Sequence, residues 1–218
     1  MTRVIKLHRG LDINLAGKAE QKTIAVKPST IYALLPSSFE GVKPKAVVKE
    51  GDTVKAGDAL FVNKDYPEVK FSSPVSGKVV LVERGDRRKL LSIRVEADRE
   101  QEYADFGVKS VDSLTGEQVK TALLEAGLFG YINQLPYAVS TNPSAEPKAI
   151  FVSALRDMPL AGDFSYELQG QELDFQTGLT ALSKIAKTYL GVGKNQEISV
   201  KDVETVMFDG KCPAGNVG

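Results

Sequence analysis

The sequence predicts two architectures in one chain: a flattened barrel of short β-strands, then an α/β half of alternating strands and helices. Three observations carry this. Glycine- and aspartate-rich turns separate short apolar runs through the first hundred residues. Beyond Ala97-Asp98-Arg99-Glu100-Gln101-Glu102 the apolar residues recur at helical spacing, interleaved with compact runs of strand character. A length of 218 residues with 42% hydrophobic composition supports about two domains with genuine cores. The boundary is expected near residue 105, giving a β domain with an amino-terminal strand over 1–105 and an α/β domain over 106–218.

Met1 to Gly10 alternates Val4, Ile5 and Leu7 with Arg3, Lys6, His8 and Arg9, which suits a strand and offers no uninterrupted apolar core for a signal peptide. Glu50-Gly51-Asp52 and Ala56-Gly57-Asp58 flank Thr53-Val54-Lys55. Each pair supplies the positive φ or the side-chain-to-backbone bond that a tight turn needs. Ala59–Asn63, Glu68–Phe71 and Lys78–Glu83 are short runs rich in Val, Phe and Leu, separated by Asn63-Lys64-Asp65 and Ser73-Pro74-Val75-Ser76-Gly77. From Glu50 to Val79 this spacing resembles the hairpin of a biotinyl or lipoyl carrier, hence a barrel-sandwich hybrid. In carriers of that pattern the modified lysine precedes the turn proline by eight residues and its glycine by eleven; counted back from Pro74 and Gly77, both land on Tyr66. The carrier lysine position is lost, and Lys64, two residues upstream, is out of register.

In the second half, Thr115-Gly116-Glu117-Gln118 is a capping-box sequence, Val119, Leu123, Leu124 and Ala126 follow at helical spacing, and Gly127 offers a stop. Lys148 to Ser153 reads as a strand buried on both faces of a parallel sheet. Leu179, Leu182, Ile185, Ala186, Tyr189 and Leu190 predict a helix from about Thr177 to Leu190, ended by Gly191, with further short strands at Ile198–Val200 and Val206–Phe208. The product is Rossmann-like. No Gly-x-Gly-x-x-Gly opens a helix after a strand, and Gly191-Val192-Gly193-Lys194 reads as a helix cap in preference to a phosphate cradle. The glycine-rich end, Gly210 to Gly218, stops before any helix it would open, so the α/β domain is expected to be truncated there.

Composition excludes several functions. Lys plus Arg equals Asp plus Glu at 28 each, so no net field gathers nucleic acid. Arg84, Arg87, Arg88 and Lys89 form a local basic cluster that reads as a solvated hairpin loop. One cysteine, Cys212, cannot form an internal disulfide or a cysteine-ligated cluster, and one histidine, His8, leaves little for a metal or for general base chemistry. No apolar run approaches the length of a membrane span.

Taken in order, Gly10-Leu11-Asp12-Ile13-Asn14-Leu15-Ala16-Gly17 with Ala19-Glu20-Gln21, then Val48-Lys49-Glu50-Gly51-Asp52, Ser73-Pro74-Val75-Ser76-Gly77, Ala149-Ile150-Phe151-Val152-Ser153-Ala154 and Pro213-Ala214-Gly215-Asn216-Val217-Gly218 resemble the A-subunit family of the bacterial sodium-translocating NADH:quinone reductases. The resemblance runs the whole chain, and family members are about twice as long, so the chain is similar to their amino-terminal portion. It implies a structural, docking subunit, cytoplasmic and peripheral to the inner face of the inner membrane, partnered by the other subunits of a respiratory complex. In that complex NADH, flavins, an iron-sulfur cluster and quinone belong elsewhere, and this chain holds no redox cofactor, metal or catalytic residue of its own. The α/β half is similar to the flavin-binding fold of related dehydrogenase subunits. A flavin-binding dehydrogenase fragment, or a carrier domain using Lys64, is therefore the alternative reading. Two departures stand out: Cys212 where family members commonly have His before Pro-Ala-Gly, and Leu135 where they commonly have Arg before the Pro-aromatic pair.

Within the docking reading, Leu34 and Phe39 on one loop and Phe129, Tyr131, Pro136 and Tyr137 on another are candidates to lie near quinone, because a quinone ring needs apolar walls and few polar contacts. Core packing accounts for the same residue types without a ligand.

Overall fold

A computed structural model describes residues 3–17, 19–107 and 110–214. Its strands are β1 (Arg3–Lys6), β2 (Ile31–Leu34), β3 (Pro44–Ala46), β4 (Thr53–Val54), β5 (Ala59–Asn63), β6 (Lys70–Ser72), β7 (Gly77–Arg84), β8 (Leu90–Ala97), β9 (Asn133–Gln134), β10 (Val139–Ser140), β11 (Ile150–Ser153), β12 (Thr188–Gly193) and β13 (Glu204–Asp209). The helices are α1 (Gly116–Glu125), α2 (Phe164–Glu167) and α3 (Glu172–Ile185). The chain forms two compact units, one drawn from Val26–Val108 and Lys120–Glu146, the other from Met1–Ala25, Lys109–Val119 and Pro147–Gly218.

The first unit is the β module. Its sheets run β2-β8-β7-β4 and β3-β5-β6, with antiparallel pairing throughout. The turns form as their chemistry dictates. Gly51 and Gly57 take φ of 93° and 102°, while the Lys49 and Lys55 amides donate to the carboxylates of Asp52 and Asp58 at 2.9 and 2.7 Å. Between the sheets Phe61 and Phe71, cross-strand partners on β5 and β6, stack at 4.6 Å, and Phe39 packs on Phe71 at 4.3 Å. Leu60, Val69, Val79, Ile93 and Val95 complete the buried core. The Ser-Pro turn works as a clamp: buried Ser76 accepts the Glu102 amide on its hydroxyl at 2.9 Å and donates its own amide to Gln101 Oε1 at 2.7 Å.

The capping box at α1 forms reciprocally. The Thr115 amide donates to Gln118 Oε1 at 2.9 Å, and the Gln118 amide to Thr115 Oγ1 at 3.3 Å. The helix ends on Gly127 at φ 71°, whose amide donates to the Leu124 carbonyl while Leu128 donates to Leu123, the two bonds of a Schellman stop.

The second unit holds a parallel sheet of order β1-β13-β12-β11. The strand at the amino terminus forms as β1, but in this sheet and not in the β domain where it was expected: it pairs with β13, Arg3 against Val206 through Lys6 against Asp209. The α3 residue Leu179 packs with Ala154, Leu190 and Val192 as this unit's core. Further expectations need correction. β11 is an edge strand, not buried on both faces: its residues alternate, and Phe151 stays 59% exposed. The second helix stops at Ile185, and the segment from Thr188 is strand β12, because Thr188, Leu190 and Val192 alternate inward at period two. Gly191 and Gly193 therefore lie within a strand and cap nothing. Ile198 and Val200 pack on the core as coil without becoming a strand.

A Cβ at Gly127 would collide with the Ser72 hydroxyl, and the residue sits in the left-handed region. Gly127→Ala is expected to lower the unfolding free energy by about 1–3 kcal/mol. In urea denaturation, adding Ser72→Ala should recover only the part due to the hydroxyl.

Candidate functional site

The residues chosen for apolar character lie in the β module, but not as one surface. Phe39 and Phe129 are core residues, and Leu34 is half-buried against the same cluster. Tyr131 meets the edge of Phe39 at 5.0 Å, yet 54% of it remains exposed, and the buried remainder pushes its phenol above the usual tyrosine range. Pro136, joined to Leu135 by a cis peptide bond, and Tyr137, 81% exposed, stand outward. Thus the structure joins Phe39 and Tyr131 directly and leaves an exposed apolar ridge of Tyr131, Leu135 and Tyr137 in one segment.

Tyr66, at the carrier-lysine count, lies on the β5–β6 loop with its side chain packed against the barrel core. Lys64 is exposed beside it, its amide bonded to the Lys43 carbonyl at 2.7 Å, and Asp65 pairs with Lys43 at 2.9 Å. The loop is tied down at the position where a carrier presents a free arm.

A second site gathers residues of three segments singled out in the sequence, Ile13 to Gln21, Gly193-Lys194 and Ala214, none of which was expected to form a cleft. A cleft of about 880 Å³ opens at the carboxy ends of β11, β12 and β13. Parallel sheets commonly bind ligands there, in volumes of roughly 300–1,000 Å³. One wall is a strap that contributes Ile13, Asn14, Leu15, Gly17, Ala19 and Gln21, the other the loop from Leu155 to Phe164. The strap is anchored at both ends: Leu11 donates its amide to the Cys212 carbonyl at 2.9 Å, and Gln21 Nε2 donates to Asp163 at 2.8 Å. Asp163 also caps α2 by accepting the Ser165 amide. Arg156 pairs with Glu167 at 3.1 Å and lies 5.8 Å from the Phe164 ring centre; Lys194 pairs with Asp209 at 3.1 Å.

The glycines at the mouth of β12 are committed elsewhere. Gln196 accepts the Gly193 amide at 2.7 Å and donates to the Ala154 carbonyl at 2.9 Å, so that amide is already satisfied within the protein. Cys212, at the Leu11 end of the strap, has its thiol pushed up by burial and by the carboxylates of Asp157 and Asp12. His8 is exposed just beyond β1. Among the described residues no group of three or more His, Cys, Asp or Glu is placed to hold a metal ion, and no helix is long and apolar enough to cross a membrane.

Residues 5–98 match the family described as the NqrA N-terminal barrel-sandwich hybrid domain, and residues 114–218 match the NqrA second alpha/beta domain. The chain belongs to the NqrA family. It is 35% identical over 221 residues to the A-subunit of the Na(+)-translocating NADH-quinone reductase of Pseudomonas aeruginosa (strain UCBPP-PA14), covering 99% of this chain and 49% of that protein. Identity to the proteins of the same name from Neisseria meningitidis serogroup B and Haemophilus influenzae (strain PittGG) is 36% and 34%, over 99% of this chain and 50% of each. The chain spans about half the length of these curated relatives. Of the NqrA-like closing segment, Gly215 to Gly218 lie outside the described residues.

Sequence reasoning missed the cleft because its walls come from four separated segments and its central turn carries the spacing of a helix end. The available signal was the period-two alternation of Thr188, Leu190 and Val192. Removing the Gln196 side chain by Gln196→Ala should cost about 1–3 kcal/mol, since it orphans one backbone donor and one acceptor. In hydrogen exchange the Gly193 amide should lose protection before the rest of β12.

Proposed function

We propose that this chain is a peripheral, structural portion of a sodium-translocating NADH:quinone reductase, docking to the other subunits at the cytoplasmic face of the membrane and carrying no redox cofactor itself. The observation that carries the reading is the match to A-subunit relatives along 99% of the chain, through both units. The β module fits a docking role: its carrier position is occupied by a core-packed tyrosine, and its polar turns are satisfied internally. NADH, flavin, iron-sulfur and quinone chemistry then belongs to the assembled complex.

The exposed ridge of Tyr131, Pro136 and Tyr137 is the part of the candidate set available to a quinone or to a partner surface. Phe39 supports Tyr131 from beneath, while Leu34 and Phe129 serve it through the core. The test is assembly followed by labelling. The chain, supplied within its longer form, should co-purify with the remaining subunits, and a photoreactive quinone should label peptides containing Tyr131 or Tyr137. Labelling confined to other subunits removes the quinone assignment while leaving docking intact; absence of co-purification removes both.

The cleft at the carboxy ends of the parallel strands favours a second reading, a flavin-binding fragment. The Gln196 side chain argues against it by occupying the Gly193 amide. Purification with excess flavin decides between them: no flavin released on denaturation is the expected result, and a stoichiometric yellow chromophore would favour the fragment.

A further inference from the structure

The hairpin joining β7 to β8 ends in a basic tip whose geometry the docking reading does not use. Arg84, Arg87, Arg88 and Lys89 are all exposed there, with Asp86 as the acid among them. The tip is held firmly. Gly85 donates its amide to the Lys89 carbonyl at 2.9 Å, Arg88 to Gly85 at 3.1 Å and Lys89 to Asp86 at 3.1 Å, while the Arg84 guanidinium donates to the Arg88 carbonyl at 3.3 Å. Arg87 and Arg88 lie at φ 52° and 61°, a region glycine enters freely and long side chains rarely do. Arginine is placed where turn chemistry alone favours glycine or asparagine.

These cations are also unneutralised. Lower on the same hairpin Arg94 pairs with Glu83 at 3.0 Å, and Lys43, Lys55, Lys187 and Lys194 each meet a carboxylate. Among the described residues Arg87, Arg88 and Lys89 form no such pair, although the whole chain balances 28 basic against 28 acidic residues. At the foot of the tip Leu91, which packs against Gly85, remains 40% exposed. The result is a local excess of cations on an exposed, internally hydrogen-bonded turn, with an apolar side chain beside it.

We propose that this tip docks on an anionic lipid surface, its guanidinium and ammonium groups meeting headgroup phosphates and Leu91 reaching the interfacial layer. The shape selects a lipid plane over an acidic polypeptide: a hairpin end offers cations in a cluster but no groove along which an extended chain lies. Guanidinium takes phosphate oxygens in paired hydrogen bonds, and each cation near such a surface strengthens binding roughly fivefold. The contact requires no other subunit, so its success or failure is independent of the docking reading above.

Co-sedimentation with vesicles tests it, using phosphatidylcholine alone and phosphatidylcholine with one third anionic phospholipid at low ionic strength. The chain should bind the anionic vesicles and release them at high salt. The variant R87Q/R88Q/K89Q should lose on the order of 100-fold in partitioning, with an unchanged urea midpoint showing that it folds, while K45Q/K49Q/K64Q, the same charge loss elsewhere on the β module, should keep most of its binding. Inorganic phosphate at millimolar concentration should not displace the protein. Equal binding to neutral vesicles, equal loss in both triple variants, or tip-dependent binding to polyglutamate with none to anionic vesicles would each overturn the proposal.

Discussion

Much of the second unit depends on one non-local pairing, the parallel register of β1 against β13 across about two hundred residues of sequence. It adds the fourth strand to the sheet, and it sets the course of the chain beyond β1. Leu7 continues the ladder by donating to the Asp209 carbonyl, Gly10 lies so close to the Lys211 and Cys212 carbonyls that a Cβ would strike them, and Leu11 bonds Cys212. The strap is therefore delivered to the carboxy end of the sheet, where it becomes a wall of the cleft. A slip of one residue would turn Ile5 to the opposite face and carry the strap out of line with Asp163. The loop closure is slow to form and inexpensive to keep, because its entropy grows only with the logarithm of length.

The β module depends on local rules, which is why it was legible. Gly-Asp turns, the strand Ala59–Asn63 and the stop at Gly127, like the capping box at Thr115 in the other unit, follow from chemistry within a few residues. Where a signal depended on distant partners it was ambiguous. Leu182, Ile185, Ala186 and Tyr189 satisfy helical spacing across the real end of α3, while Thr188, Leu190 and Val192 satisfy strand spacing over nearly the same residues. The sheet decided between them, since β12 is an inner strand with β13 on one side and β11 on the other. The cleft was illegible for the same reason: Ile13, Arg156, Gly193 and Asp209 become neighbours only once the parallel ladder forms.

Two glycine-bearing segments illustrate how similar sequence serves different physics. Gly51 and Gly57 adopt positive φ and make turns. Gly191 and Gly193 have no such requirement; they are small because Phe208 and Leu155 come close to where their Cβ atoms would stand. A Gly-x-Gly-Lys string at the end of a parallel strand invites a phosphate reading, but a phosphate site needs free amides and a following helix dipole. Here Gln196 takes the amide, and coil follows the strand.

The same reasoning applies to Tyr66. A carrier arm works because the lysine projects from a turn with nothing to hold it, whereas Tyr66 rests on the barrel core and its neighbour Asp65 is paired with Lys43. The fold is compatible with either chemistry, and one position sets which is available. With the arm replaced by a packed ring, what the β module exposes includes the tyrosines at 131 and 137 and the cationic turn at 84–89. Both stand on short, internally bonded connections between or beside strands, so each surface can differ in chemistry while the core of Phe39, Phe61 and Phe71 is left undisturbed.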